Sequence, residues 1–357
     1  MKKTQVALAA LALVASTATM AEVKLSGVFD VGVGRVTKNA AGVGGVFMEQ
    51  GNLSDHSSIA LDASEDLGSG MKAYMHIESG FDANGYNDNG GTAGSGKAGT
   101  SSIWNRDSFV GVSGEFGSIQ LGKQLSPFIL SGVLNSSSYV GSFAVNRLYM
   151  GHGAAGVAAG GVGLNSVGFF IANAVQYISP SISGWTIRAM TTTASGTHGN
   201  SINEGTTAQD ADRYTSYSIM GSLGSANINA AYENRKSTYT GYNAGVSLPV
   251  AAGLVATLGY MNTTAEGSSA IGSYNIGASY ELTDSTKAIL QYAASDNNGG
   301  NKTLTNLTLT NSLSKSTTIY ATYAVGDGIN PALGNFGNAA PTTGTANAII
   351  VGVSKSF

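Results

Sequence analysis

The sequence predicts an all-β protein, a transmembrane up-and-down antiparallel β-barrel of about 16 strands. Apolar residues recur with a period of two from Glu22 onward, which is the period of strands whose two faces meet different surroundings. Charged residues make up only 11% of the sequence, against about 25% in ordinary soluble domains. Short and long connections alternate between the strand segments, as in a barrel with short periplasmic turns and long extracellular loops.

The start of the chain predicts a secretory signal peptide, residues 1–21. Two lysines precede an apolar segment at Gln5–Ala15, and small residues end at Ala21. This pattern is typical of a peptide that is cleaved after export, here before Glu22. An uncleaved anchor helix is the alternative, which the short apolar segment disfavours. The expected mature chain, 22–357, forms one barrel domain. Its mild formal charge (−3, or −5 without two lysines) indicates no nucleic-acid partner.

Alternation along each strand assigns its two faces. In the first segment Val23, Leu25 and Phe29 share an apolar face, and Lys24, Ser26 and Asp30 share a polar one. The same alternation runs through residues 71–80, 226–233, 273–282, 286–295, 316–325 and 349–357. The polar face carries Ser, Asn, Gly and Thr with few charges, unlike a surface in bulk water. We therefore expect the apolar face to meet lipid and the polar face to line a lumen.

Tyrosines near the strand ends support this orientation, because outer-membrane barrels carry aromatic girdles at both lipid interfaces. They are Tyr232, Tyr242, Tyr260, Tyr280, Tyr292 and Tyr323. Closure into a barrel also pairs all the backbone N–H and C=O groups, for which lipid offers no partner. The last strand is amphipathic, with Val351, Val353 and Lys355 facing outward, and ends on an aromatic residue, Phe357.

A long segment without carboxylates interrupts the strands in the first half of the chain. Leu125 to Ser166 contains no acidic residue, and the nearest ones are Glu115 and Glu204. The segment is too Gly-rich to predict a helix and too long for an ordinary connection. A loop of this length inside a compact domain usually carries a function.

Together these segments resemble the Gram-negative general porins, most closely the betaproteobacterial and neisserial type. The resemblance rests on KLSGVFDVGV, ASEDLGSGMKAYMHIESGF, NRDSFVGVSGEFGSIQLGKQ, NAVQYISPSISGW, LSKSTTIYATY and the terminal Phe357, in this order. It implies a 16-stranded barrel in the outer membrane, a homotrimer in contact with lipid and lipopolysaccharide, and passive diffusion of small hydrophilic solutes and ions. It also implies that the third loop, here 124–166, folds into the lumen and constricts it.

The resemblance implies a charge filter at the constriction, which this sequence matches only in part. Arg106 occupies the place of a wall arginine, and alternation with Ser108 is expected to aim it at the lumen. Ser58, Asp62, Phe170 and Gln176 stand where the family commonly has basic residues, and the acids of the loop are absent. Arg147 and His152 are the loop's only titratable groups. The expected pore-lining residues are Lys24, Asp30, Asp62, Lys72, Glu78, Arg106, Lys123, Arg147 and Arg188. We expect weak charge selectivity with a slight anion preference.

Two other classes of function stay open at the level of the sequence. His76 and Glu78 share a face and could form the acid–base pair of an outer-membrane hydrolase, although no nucleophile follows from the sequence. A secreted β adhesin is the second alternative, and a solenoid form lacks the fixed repeat it requires. No cofactor is expected. The oxygen-rich segment at Asp82–Asp88 could hold a divalent cation, but its spacing matches no known calcium loop.

Overall fold

The protein is described from a computed structural model. The structure describes residues 22–37, 45–51, 53, 57–81, 104–137, 170–193, 213–236, 239–265, 267, 269–297, 300–328 and 344–357. The expected signal peptide and the segment at Asp82–Asp88 lie outside these residues.

Within these ranges, seventeen strands form one antiparallel sheet. They are β1 (Glu22–Val36), β2 (Gly45–Gln50), β3 (Ser57–Gly68), β4 (Met71–Phe81), β5 (Ser108–Gly114), β6 (Gly117–Leu125), β7 (Phe170–Ile178), β8 (Thr186–Thr192), β9 (Tyr214–Leu223), β10 (Ala226–Arg235), β11 (Tyr239–Ala251), β12 (Leu254–Ala265), β13 (Ile271–Glu281), β14 (Thr286–Asn297), β15 (Gly300–Ser314), β16 (Thr317–Asp327) and β17 (Thr345–Ser356). Consecutive strands pair along the chain, except that β2 and β3 both pair with β1, and β17 returns to pair with β1.

The sheet closes into a barrel of 16 strand positions, which confirms the predicted fold. Strands β2 and β3 share one position, because β3 pairs with the first half of β1 and β2 with its second half. The position is interrupted between Gln50 and Ser57. Asp30 lies beside the interruption, where its carboxylate accepts the N–H of Leu53 at 2.7 Å and its carbonyl accepts that of Gly51 at 3.1 Å.

The outer surface is apolar, as the alternation predicts. Val23, Leu25, Phe29 and Val33 of β1 are exposed, whereas Asp30 between them is buried. The outward rows continue around the barrel with residues such as Val110, Leu121, Ile219, Leu258, Ile276, Leu290, Leu307 and Val351. Tyrosines stand in the same rows, including Tyr232, Tyr242, Tyr260, Tyr280 and Tyr323. Side chains of this kind stabilise a surface that meets hydrocarbon and its interfaces.

The two rims differ, although less regularly than the sequence suggests. At the rim that carries both ends of the barrel chain, the connections are short turns such as 69–70, 115–116, 224–225 and 252–253. At the opposite rim the longer connections are 82–107, 126–169, 193–213 and 328–344, whereas 236–238, 266–270 and 298–299 are short. Long connections therefore occur along only part of this rim.

In the part of the chain that the structure describes, one helix, α1 (Pro127–Leu134), lies inside the barrel at the start of the predicted constriction loop. It contacts strands β8, β9, β10 and β11. The expectation that this loop is too Gly-rich for a helix is wrong for its first part, since most of the loop's glycines follow Gly151 and α1 contains only Gly132. Among the described residues no helix is long and apolar enough to cross a membrane.

Candidate functional site

The local sequence of α1 explains why a helix begins inside the lumen. Ser126 is the N-cap, and its hydroxyl accepts the N–H of Ile129 at 3.1 Å. Pro127 follows at the first helical position, where its fixed φ suits the helix and its missing N–H costs nothing. Phe128 and Ile129 are buried against the barrel wall. The apolar start of the loop therefore packs on the wall instead of projecting into water.

Polar side chains of the wall fix α1 in place. The hydroxyl of Ser131 lies 2.6 Å from the Oδ1 atoms of both Asn229 and Asn243. Asn243 in turn donates to the carbonyl of Phe128 at 3.0 Å. The amide N–H of Phe128 donates to the hydroxyl of Ser216 at 3.1 Å. All of these groups are buried, so each bond satisfies a group that would otherwise be costly to bury.

The chain stays on the wall beyond the end of α1. Ser137 is hydrogen-bonded to Thr257, and Gln291 donates to the hydroxyl of Ser136 at 2.6 Å. Glycines of the wall provide the space: a Cβ at Gly245 would collide with Asn135, and one at Gly277 would meet Ser137. The described part of the loop thus covers the inner face of β9 to β14. Residues 138–166 of the predicted loop, with Arg147 and His152, lie outside the described residues.

Arg106 faces the lumen beside the origin of this loop. Its Nε lies 3.0 Å from Oε2 of Glu78, and its guanidinium lies 4.6 Å from the ring centroid of Phe170. The alternation argument for this orientation is wrong, because Ser108 pairs with Ile77 on the outward face of β4. Arg106 instead lies in a bend before β5, and the bend turns its side chain inward.

Asp107 is a lumen residue that the sequence analysis missed. The N–H of Glu78 donates to the carbonyl of Asp107 at 2.8 Å, which continues the pairing of β4 and gives the two side chains the same face. One carboxylate oxygen of Asp107 accepts the N–H of Leu125 at 3.0 Å. Burial raises the pKa of Asp107 to about 6, and the neighbouring Arg106 guanidinium opposes this rise. Phe109 is on the same face as His76, and Asp107, two residues earlier, would have been assigned to that face by the alternation of the strand.

Asp62 and His76 are paired across β3 and β4. Nδ1 of His76 lies 2.7 Å from Oδ1 of Asp62, and the two residues are direct neighbours in the register. Lys24 is the neighbour of Asp62 on the other side. His76 and Glu78 lie close together, with ligand atoms within 4.8 Å, but His76 is paired with Asp62 and Glu78 with Arg106.

Asp62, His76, Glu78, Arg106, Asp107 and Lys123 form what we call the wall cluster. Lys123 completes it by donating to the carbonyl of Asn105 at 2.5 Å, and it interacts electrostatically with Asp107 and Arg106. The cluster contains three carboxyl groups, two basic side chains and one imidazole. Charges of both signs thus lie together on the wall where the loop begins, instead of on opposite sides of the lumen.

The remaining predicted residues differ in their access to the lumen. Lys72 lies two residues before Tyr74 in β4, and Arg188 lies two residues before Met190 in β8. Residues two apart in a strand share a face, so Lys72 and Arg188 are both on the lumen face. Asp30 is on the lumen face but completely buried, and it accepts the hydroxyl of Tyr320 at 2.8 Å. Its carboxylate is therefore covered by neighbouring groups, and its place in the pore lining stays a prediction.

Two further groups of buried contacts hold the wall together: one joins glutamines, and the other joins a tyrosine to a glutamate. Gln176 donates to Gln120 at 3.0 Å and to Gln124 at 2.9 Å. Buried Glu233 accepts the hydroxyl of Tyr214 at 2.6 Å. Of these residues, only Gln176 was singled out from the sequence, as the substitute for a family arginine. Neutral amides occupy this part of the wall.

Comparisons with known proteins agree with this architecture. The family model described as Gram-negative porin matches residues 7–330. The chain is 30% identical over 188 residues to "Outer membrane porin protein 32" of Delftia acidovorans, covering 52% of this chain and 48% of that protein. It is 34% identical over 156 residues to "Major outer membrane protein P.IB" of Neisseria meningitidis serogroup B, covering 42% and 41%. The matched segment spans less than half the length of these two curated relatives.

Solved structures resemble the whole barrel. "Anion-selective porin from Comamonas acidovorans" has a TM-score of 0.73 and 21% identity, covering 95% of this chain and 100% of that one. "OmpT (in-vitro folded), an outer membrane protein of Vibrio cholerae" has a TM-score of 0.64 and 14% identity, covering 96% and 100%. At these identities the similarity shows the fold.

Proposed function

Because the chain belongs to the Gram-negative porin family, we propose that it forms a water-filled channel in the outer membrane for passive diffusion of small hydrophilic solutes and ions. One observation carries this proposal: a closed barrel has an apolar outer surface and a polar lumen into which α1 folds. The outer surface suits lipid and the polar lumen suits water. The described start of the loop, α1 and residues 135–137, narrows the passage from the wall.

The proposed channel has weak charge selectivity with a slight anion preference. The wall cluster is nearly balanced, which supports weak selectivity. One feature supports the anion side: Lys72 and Arg188 add cations to the lumen face. Rings of charged side chains set ion preference in pores. The similar fold from Comamonas acidovorans is titled an anion-selective porin.

Planar bilayer recording tests this function. Purified protein should insert as stable ohmic channels, and a potassium chloride gradient should give a small reversal potential of the sign that anion preference produces. A clear cation preference would contradict the proposed selectivity, and the lack of any conductance by correctly folded protein would contradict the channel itself.

We also propose a homotrimer embedded in lipid and lipopolysaccharide, acting as a channel rather than an enzyme. One similar structure from Vibrio cholerae is titled as a trimer form. Such a protein should remain in the outer-membrane fraction and run on gels as a trimer that dissociates on heating. Release into buffer would favour the secreted adhesin instead. Turnover of peptide or phospholipid that is lost in His76→Ala would favour the hydrolase.

A further inference from the structure

The wall cluster contains three side chains whose chemistry suits a metal ion. The ligand atoms of His76, Glu78 and Asp107 all lie within 4.8 Å of one another, and all three residues are half-buried on the lumen side. We propose that these three residues form a binding site for a divalent transition-metal ion, with Zn²⁺ as its probe. The site goes beyond the proposed diffusion channel, because it binds an ion at a fixed position on the wall.

The donor set favours zinc-like ions over magnesium or calcium. One imidazole nitrogen with two carboxylates is a three-ligand set that leaves a fourth position for water. Imidazole ligands suit Zn²⁺, Cu²⁺ and Ni²⁺, whereas Mg²⁺ and Ca²⁺ prefer oxygen ligands alone. Ligands of a tetrahedral Zn²⁺ lie about 3.4 Å apart, as its bond lengths of about 2.1 Å require. Small side-chain rotations within the 4.8 Å limit would bring the three atoms to this spacing.

Asp62 prepares His76 for this role. The 2.7 Å contact between Nδ1 of His76 and Oδ1 of Asp62 occupies one ring nitrogen and leaves Nε2 as the metal-binding one. The ring of Phe109, with its centroid 5.7 Å from that of His76, restricts its rotation further. A carboxylate that orients a histidine in this way raises its basicity, and its loss costs about 10- to 100-fold in metal affinity. Asp62 is thus a positioning residue.

Arg106 sets the strength of the site. Its Nε lies 3.0 Å from Oε2 of Glu78, so a metal ion and the guanidinium compete for the same carboxylate. Lys123 adds a second cation through its interaction with Asp107. These positive charges lower the affinity for any dication. A variant without the Arg106 charge should therefore bind the metal more tightly.

Calorimetric titration of the detergent-purified, chelator-treated protein with zinc chloride tests the site without recourse to transport. We expect one Zn²⁺ site per chain, at least a tenfold loss of affinity in His76→Gln, a 10- to 100-fold loss in Asp62→Asn, and a gain in Arg106→Gln. Glu281→Gln, which removes an exposed carboxylate near the rim, serves as the control and should bind like the wild type. Magnesium chloride should give no binding at the same concentrations.

Equal Zn²⁺ affinity in the wild type and His76→Gln, or no Zn²⁺ binding by the folded wild type, would overturn the proposal. Heat-modifiable gel mobility verifies that each variant is folded. A bilayer experiment, which rests on the proposed channel function, adds a second measurement: Zn²⁺ should shift the reversal potential toward anions in the wild type and not in His76→Gln. Conductance without metal tests the channel separately, so failure of the site and failure of the channel are distinguishable.

Discussion

Arg106 is the charged residue whose removal should change the pore most directly. Its guanidinium pairs with Glu78 and acts electrostatically on Asp107, so Arg106→Ser removes a cation from beside two carboxyl groups. A unit charge about 4 Å from a passing ion contributes about 1 kcal/mol in water-like surroundings. We expect the ratio of anion to cation permeability to fall several-fold, measured as a reversal potential in a salt gradient with chelator present.

Lys315→Ser is the matched control for this prediction, because it removes one cation from an exposed turn between β15 and β16. Its reversal potential should equal that of the wild type. If Arg106→Ser also behaved like the wild type, Arg106 would lie away from the narrowest part of the lumen.

Asp30 should behave differently, because its carboxylate stabilises the barrel and does not face water. Asp30→Ala removes the carboxylate that accepts the hydroxyl of Tyr320 and the N–H of Leu53. Each buried group that loses its partner costs about 1–3 kcal/mol. We expect the temperature at which the barrel loses its folded gel mobility to fall in Asp30→Ala.

Glu65→Ala is the control for Asp30, since Glu65 is an exposed carboxylate of β3. It should leave the unfolding temperature unchanged. A reversal potential that changed in Asp30→Ala while stability did not would assign Asp30 to the pore, as the sequence first suggested.

The sequence could predict which residues face the lumen wherever the strands are regular. It assigned Lys24, Asp62 and Glu78 by alternation, and the register places them on one face. Alternation failed at Arg106 because a bend precedes β5, and backbone bends leave no periodic signal. It also could not identify the partners: whether Glu78 contacts His76 or Arg106 depends on side-chain geometry across strands, which a one-dimensional pattern does not contain.

At the scale of elements, the helix α1 depends on wall glycines as much as on its own sequence. Ser126 and Pro127 form a recognisable N-terminal signal, but the Gly-rich remainder of the loop obscured it. The packing surface could not be predicted, because it joins residues about 100 positions apart, such as Ser131 and Asn243. The sequence shows a glycine at position 245, and the structure shows that Asn135 occupies the space that a side chain there would need.

Gly245→Val tests the packing of α1. A side chain at this position would occupy the space of Asn135, so the C-terminal end of α1 has to move away from the wall and into the lumen. We expect a lower single-channel conductance, measured in a planar bilayer, while the barrel remains folded. The contacts of Ser131 with Asn229 and Asn243 lie on the same side and should weaken with it.

Gly272→Val is the comparison for this variant. A Cβ at Gly272 makes only ordinary contact with Tyr260, and the position lies on β13 away from α1. Its conductance should match the wild type. Equal conductance in Gly245→Val and the wild type would show that the position of α1 does not limit the passage.

At the scale of the whole molecule, the fold was predictable because lipid and water impose opposite demands on the two faces of each strand. The apolar residues that alternate in the sequence from Val23 to the terminal strand form the exposed outer rows of the barrel. Two features were less predictable. The interruption between β2 and β3 depends on contacts with Asp30, which lies in another strand. The connections between β10 and β15 include several of only a few residues, which is too short for a recognisable sequence pattern.

The seam between β1 and β17 is where the barrel closes, and Phe357 contributes its last contacts. The N–H of Gly27 donates to the carbonyl of Phe357 at 3.2 Å, and the N–H of Phe357 donates to the carbonyl of Gly27 at 3.1 Å. Deleting Phe357 removes both bonds and leaves backbone groups of Gly27 unpaired at the edge of the membrane, where each is costly. Phe357→Ala keeps both bonds and removes only the ring. We therefore expect refolded protein to lose its folded gel mobility at a lower temperature in the deletion than in Phe357→Ala. The two variants would unfold together if the ring, rather than closure of the backbone ladder, stabilised the seam.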